Sequence, residues 1–284
     1  MEKTKLDSLK ATEILKPSDG YSTVYVLSND KVLKLFNPQY VEAMKRFDSL
    51  DIEKKILCAK PLKGIITPNQ AVYYPDNRFA GYTQNKASGI NLENFIKTIQ
   101  ISNLKGYANL YKLLETTVKN LDNVVLSDIC TLSNCYIDKR NIQFLDYDDI
   151  QVDNFKTPVI STAVETLGLT DSTKYYNNGL YTKNLDIKSL IHLYFLMTFN
   201  VDLLNVGKMN PSTGKIITLE EIFDIIGLDD VDLMHKVWLT FTKDKENIYL
   251  GDSVYEIADK YKMNILGKVD CAGETGYLKK LIRK

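Results

Sequence analysis

The sequence predicts an α+β protein of two parts: a small antiparallel β-rich front carrying one helix, and a larger helical back. Three observations lead there. The segment Tyr21–Phe36 reads as a β-hairpin, residues 65–84 hold two more strands, and past Gly89 the pattern turns helical.

Within Tyr21–Phe36, the β-rich runs Ser22–Leu27 and Lys31–Phe36 flank Ser28-Asn29-Asp30, residues that favour a turn. Asn37-Pro38 ends the second strand, and Asn37 is placed to cap the next helix. From Gln39 to about Lys60 the residues Val41, Met44, Phe47, Leu50, Ile52, Ile56 and Leu57 recur at near-helical spacing until Pro61. The charged face of this stretch reads as solvated surface, Glu53 excepted. The runs AVYY and RFAGYTQ, separated by Pro75-Asp76-Asn77, complete an antiparallel sheet of at least four strands. Helices are expected at about 92–101, 104–122, 184–199, 218–227, 230–243 and 253–262, with the strand-like CYID and IQFLDY between the second and third. The division into residues 1–86 and 87–284 rests on this change of character.

Composition narrows the function. Of 284 residues, 44% are hydrophobic and 25% charged, an ordinary globular balance. Lysine plus arginine and aspartate plus glutamate are 36 each, so no net field draws the chain to nucleic acid, which is not an expected partner. The start MEKTKLDSLKATEIL has no apolar run of signal-peptide length, and no stretch approaches the ~20 apolar residues of a membrane span. A cytoplasmic location with reduced thiols is expected. Cys58, Cys130, Cys135 and Cys271 form no CxxC pair, and His192 and His235 are far apart, which argues against structural zinc. His192, His235 and Trp238 read as packing residues.

Lys34 lies in the otherwise apolar Val32-Leu33-Lys34-Leu35-Phe36. Taken alone, it reads as an edge lysine pointing to solvent by alternation. A lysine in a cleft, however, needs a carboxylate partner, because an unpaired desolvated ammonium is costly. Glu53, farther along the helical stretch after the hairpin, can supply it; Glu42 is a rival. Asp146 directly follows the apolar strand Ile142–Leu145 and has Asp148 and Asp149 beside it, a set that suits a hard cation or a solvated acidic turn. Upstream, Asp128 and Asn134 precede a short strand that a hairpin could fold back toward Asp146. Asp128 could accept a hydroxyl proton; Asn134 and Asp146 could bind magnesium.

The order of these residues resembles the protein-kinase superfamily over about residues 15–262. Val32-Leu33-Lys34 resembles the strand bearing the ATP-binding lysine, and Glu53 resembles the helix glutamate paired with it. Asp128 and Asn134 resemble the catalytic-loop base and metal-binding asparagine, and Asp146-Tyr147-Asp148 resembles the DFG triplet in a DxD form. Asn184-Leu185-Asp186 is similar to the start of the helix whose aspartate supports the catalytic loop. The resemblance implies a two-lobed kinase-like fold with ATP and Mg2+ bound between the lobes. It implies nucleotide contacts from Gly20, Tyr21, Ser22, Val24, Lys34, Gln84, Asn85 and Lys86, a metal on Asp146 and Asn134, and catalytic roles for Asp128, Lys34 and Glu53. The implied function is a phosphotransferase acting on a protein Ser/Thr hydroxyl. The alternatives are a pseudokinase that binds nucleotide or a partner protein, and a small-molecule kinase of related fold.

Departures from the pattern carry their own expectations. Only Gly20 remains of the glycine-rich loop, and Asp19 would repel phosphate. Leu126 and Ser127 replace the histidine and arginine before Asp128, so no dependence on phosphorylation at Thr157, Ser161, Thr162, Tyr175 or Tyr176 is expected. Asn134 lies one position late: either the loop bulges or Ser133 takes the ligand place. Asp148 replaces the triplet's glycine.

Overall fold

The computed structural model describes residues 1–27, 30–98, 104–126, 129, 132–138, 141–158, 176–177, 179–187, 189–190, 193, 208–218, 220–221 and 224. The fold is mixed α+β, built on a six-stranded sheet. Among the described residues no helix is long and apolar enough to cross a membrane.

Two short N-terminal strands, β1 (Glu2–Lys5) and β2 (Ala11–Lys16), precede the hairpin of β3 (Ser22–Leu27) and β4 (Lys31–Phe36). The helices α1 (Pro38–Lys45) and α2 (Ile52–Leu57) come next, then β5 (Pro68–Tyr73) and β6 (Phe79–Asn85). The sheet order is β1-β5-β6-β4-β3-β2. The four strands read from the sequence are all present and antiparallel to one another where they pair. β1 adds to β5 in parallel, which makes the sheet mixed, and β2 closes the opposite edge with all six residues exposed.

β4 is central, so both of its faces are used. Leu33 packs with Leu27, Val72 and Ala80 on one face. By the two-residue alternation of a strand, Val32, Lys34 and Phe36 face the other way. There Phe36 meets Phe79 and Tyr82, at centroid separations of 6.1 and 5.9 Å. Gly81, on β6, comes so close to β4 that a Cβ would lie 2.0 Å from the Lys34 carbonyl oxygen. Only glycine permits that approach.

The expected helical stretch from Gln39 to about Lys60 is broken in two, and this is a correction. Asn37 caps α1, its side chain accepting from the Gln39 N–H with Pro38 in the first turn. Asp48–Leu50 then form one 3-10 turn, and Asp51 takes extended backbone angles to cap α2 through the Lys54 N–H. Asp48, Ser49 and Asp51 compete for backbone hydrogen bonds and favour turns and caps over helix interior. The restart sets the phase of α2. Ile52, Lys55 and Ile56, at i, i+3 and i+4, share its buried face, and Glu53 does not.

Farther on lie β7 (Ile90–Asn91), α3 (Leu92–Thr98), α4 (Leu104–Lys119), β8 (Val124–Val125), β9 (Cys135–Asp138) and β10 (Asn141–Phe144). The strands read as CYID and IQFLDY are β9 and β10, which pair antiparallel, and β7 adds to β9. Compact packing does not divide the chain at one point near 86. One unit comprises Met1–Leu92, Leu121–Val124 and Ser133–Val159; the other comprises Glu93–Asn120, Val125–Leu132 and Ile160–Lys284. Backbone hydrogen bonds explain why residues 133–159 join the first unit: the Ile66 N–H donates to Phe144 O (2.9 Å) and the Phe144 N–H to Gly64 O (2.8 Å).

In the second unit α4 buries Leu110, Leu114 and Val118, spaced four apart along one face. Residues 183–187 are helical, as are 220, 221 and 224. Thr218 and Glu221 form a reciprocal capping box at 3.2 Å each way, which starts the helix expected from 218. The helices expected at 230–243 and 253–262, with His192, His235 and Trp238, lie outside the described residues.

Candidate functional site

The candidate site is a cluster of two lysines, three aspartates and a tyrosine, all in the first unit. Lys34 is 7% exposed. The edge reading of this residue therefore fails: β4 is an interior strand, and the Lys34 side chain lies on a packed face. Its Nζ donates to Asp148 Oδ1 at 2.9 Å and to Asp146 Oδ1 at 3.0 Å, with Asp149 Oδ2 at 3.9 Å.

The three aspartates come from a tight turn after β10. The Asp146 carbonyl accepts from the Asp149 N–H (2.8 Å) and the Ile150 N–H (3.3 Å). Asp146 itself has φ 55°, a left-handed conformation that aspartate tolerates better than most residues. The Leu145 N–H donates to the Asn134 carbonyl oxygen at 2.8 Å. That bond sets Asn134 beside the residue preceding Asp146, as the hairpin expected from the sequence requires.

Two further side chains fasten the turn. Tyr82 lies directly opposite Lys34 in the β4–β6 register, and its Oη donates to Asp148 Oδ1 at 2.6 Å. Lys55, 3% exposed on α2, donates to the Asp148 carbonyl oxygen at 2.6 Å and to that of Ile150. Its ammonium also stands 5.9 Å from the Tyr147 ring centroid.

Electrostatics reflect this packing. Burial works against the Lys34 ammonium, but the Asp148 and Asp146 charges outweigh it and raise its pKa well above the lysine range. Burial likewise opposes the Asp148 carboxylate, yet the Lys34 charge and the Tyr82 and Lys34 hydrogen bonds hold its pKa below the ordinary value. Lys55 differs: burial pulls it down to about 8, against the opposing pull of Asp148 and Asp149. The Asp149 carboxyl is pushed up to about 7 by burial and by the Asp148 charge. Because 36% of its side chain still reaches solvent, the neighbouring charge is the firmer part of that cause.

Glu53 does not pair with Lys34, contrary to the expectation. It forms an ion pair with Lys45 at 3.0 Å and accepts from Tyr73 Oη at 3.0 Å. The reason is the phase of α2, which turns Lys55 inward and Glu53 to the side. Lys55, read as part of a solvated surface, is a residue that sequence reasoning missed. Its signal was the i, i+3, i+4 set with Ile52 and Ile56. Asp148 and Tyr82 were missed as partners of Lys34.

The remaining predicted residues fall into groups. Val24 lies opposite Lys34 in the β3–β4 register, and Gln84 and Asn85 lie opposite Val32 and Lys31 in the β4–β6 register. Gln84 thus shares the Lys34 face, and its buried Oε1 has no hydrogen-bond partner. The Lys86 N–H donates to Asp30 O at 2.7 Å. In the expected phosphate loop the backbone donors are already used. The Gly20 N–H donates to Ser18 Oγ (3.2 Å), and those of Tyr21 and Ser22 donate to Asp19 Oδ1 (3.0 Å each). Partial burial raises the Asp19 carboxyl, but those donors and Lys16 prevail and lower it to about 2.

In the second unit Asp186 is fully buried and accepts from the Leu126 N–H with both oxygens, at 3.0 and 3.1 Å. It holds the segment leading to Asp128, in the supporting role expected of it. Asp128 itself lies outside the described residues.

Among the described residues no group of three Cys, His, Asp or Glu side chains is arranged to hold a metal. Magnesium does not demand one, since it is commonly bound by one or two carboxylates together with substrate phosphates. Two ammonium groups against three carboxylates also leave the cluster one negative charge in excess. Asp146, with Asn134 near it in the hairpin, fits that requirement; the unpartnered Gln84 Oε1 on the same face is an acceptor for a ligand's N–H. No protein-family model matches the chain, and no curated protein matches it.

Proposed function

We propose that this chain binds Mg-ATP and transfers its γ-phosphoryl group to a hydroxyl, a protein Ser or Thr side chain first among the acceptors, as a divergent member of the two-lobed protein-kinase-like fold. One observation carries it: a buried lysine on a central strand whose ammonium meets Asp146 and Asp148 from the turn after β10. An unpaired ammonium there would be costly, and a structural ion pair alone would be served by one carboxylate. Two acids on one lysine make an arrangement in which one acid can leave for a cation.

Lys34 holds the α- and β-phosphates by charge, as a compact ammonium suits. Asp146 and Asn134 are the side chains that would hold Mg2+, which supplies neutralisation of the phosphate charge. Asp128 takes the proton of the accepting hydroxyl as its oxygen bonds to the γ-phosphorus and the bond to the bridging oxygen breaks, releasing ADP. Gln84, Asn85 and Lys86 lie along the strand end that would meet the base, and Val24 would cover it. Glu53 has no part in this scheme, because its partners are Lys45 and Tyr73.

A second reading, a nucleotide- or partner-binding domain without catalysis, is favoured by Asp19, which occupies the N–H groups a phosphate would need. Phosphoryl transfer from radiolabelled ATP to a mixed Ser/Thr-rich protein acceptor separates the two. Parent activity that disappears in Asp128→Asn, with nucleotide binding retained, is the expected result. A parent that binds Mg-ATP but transfers no phosphate and hydrolyses no ATP would establish the second reading instead.

A further inference from the structure

The two carboxylates on Lys34 are held very differently. The Asp148 side chain is 2% exposed and that of Asp146 is 21% exposed. Asp148 is fixed from three elements: its Oδ1 accepts from Lys34 on β4 and from Tyr82 on β6, and its backbone oxygen accepts from Lys55 on α2. Among the described residues Lys34 is the one side-chain donor to the Asp146 carboxylate. Moving Asp148 would strand the Tyr82 hydroxyl in the interior and uncover a buried ammonium, whereas moving Asp146 exchanges one partner for another.

From this we infer that Asp148 is the positioning residue for Lys34, the carboxylate that keeps the ammonium aimed at the nucleotide phosphates, while Asp146 is the acid released to the metal. Tyr82 and Lys55 serve Asp148 in turn, the first by orienting its carboxylate and the second by fixing its backbone. The inference rests on the Mg-ATP reading and deepens it. It replaces the expected Lys34–Glu53 pair with a Lys34–Asp148 pair built from a different element.

The test is equilibrium binding of ATP over a range of Mg2+ concentrations, with Asp148→Asn, Asp146→Asn and Tyr82→Phe each made alone and in a Lys34→Met background. Asp148→Asn should weaken ATP by about tenfold, the scale of one hydrogen bond to a charged group, and leave the Mg2+ midpoint in place. Asp146→Asn should shift that midpoint upward by about tenfold or more. Tyr82→Phe should give a smaller loss of ATP affinity in the same direction, and it decides the matter alone if Asp148→Asn does not fold. The Asp148→Asn and Tyr82→Phe losses should vanish in Lys34→Met, since the two residues act through the lysine.

Losses that persist at full size in Lys34→Met, or an Asp148→Asn variant that moves the Mg2+ midpoint as Asp146→Asn does, would overturn the inference while leaving Mg-ATP binding intact. A folded parent that binds no Mg-ATP would overturn the proposed function and this inference with it.

Discussion

Replacing Lys55 with methionine removes a buried charge while keeping an unbranched apolar chain of similar reach. In the parent the Lys55 ammonium is 3% exposed and donates to the Asp148 and Ile150 carbonyls. Burial lowers its pKa from 10.5 to about 8 in the folded protein. In the unfolded chain the same lysine titrates at its ordinary value, so between those two pH values the unfolded state binds the extra proton. Stability attributable to Lys55 therefore rises with pH across that window and is level below it. At 1.36 kcal/mol per pH unit the full rise is about 3 kcal/mol. Tyr82 and Tyr147 also titrate in alkali, but they are common to parent and variant and cancel in the difference. The assay is urea denaturation of both proteins from neutral pH to about 10.5, plotted as parent minus Lys55→Met. A difference that climbs by about 3 kcal/mol above pH 8 is expected. A level difference would refute the reasoning, because it would mean that the two carbonyls and the nearby acids compensate fully for burial.

Glu53→Gln should leave ATP affinity unchanged within about twofold and cost about 1 kcal/mol or less of stability, the usual worth of a partly exposed pair; a tenfold loss of affinity would restore the Lys34–Glu53 pairing. Asp186→Ala should lower stability by about 3–5 kcal/mol in a denaturation experiment, because it leaves the buried Leu126 N–H without its carboxylate. Asp186→Asn, which keeps an acceptor, should lose less, and equal losses would count against the hydrogen bond as the cause. Asp19→Ser should tighten ATP binding by about fivefold, the effect of removing a like charge at contact range in water, and should free the Tyr21 and Ser22 N–H groups. Weaker binding in that variant would show that Asp19 builds the loop more than it blocks it.

How much of this was legible depended on the kind of signal. β3 and β4 match their predicted bounds, because β-branched and aromatic residues alternate on both sides of a turn-forming Ser-Asn-Asp. β1 and β2 left no such trace: EKTK and ATEILK are short, largely polar, and buried little or not at all. Backbone pairing to β5 and β3 places them in the sheet, and side-chain patterning does not report on that. Lys34 and Asp146 were legible as site residues since each interrupts or follows an apolar strand. Their pairing was not, because it joins residues 112 apart through a turn whose geometry no local pattern encodes. Lys55 was hidden by a sound rule applied in the wrong place: lysines on helices face water, unless a cap resets the helix and turns the residue inward. Glu53 was misassigned by the same reset.

The measurement that bears most directly on the Lys34–Asp146–Asp148 site as a nucleotide site is the affinity of the parent and of Asp146→Asn for ATP, with and without Mg2+. The parent should bind ATP at least about tenfold more tightly with Mg2+ than without it, and Asp146→Asn should bind with little dependence on the metal. A folded parent with no measurable affinity for ATP at any Mg2+ concentration, or an Asp146→Asn variant with the parent's full Mg2+ response, would contradict it.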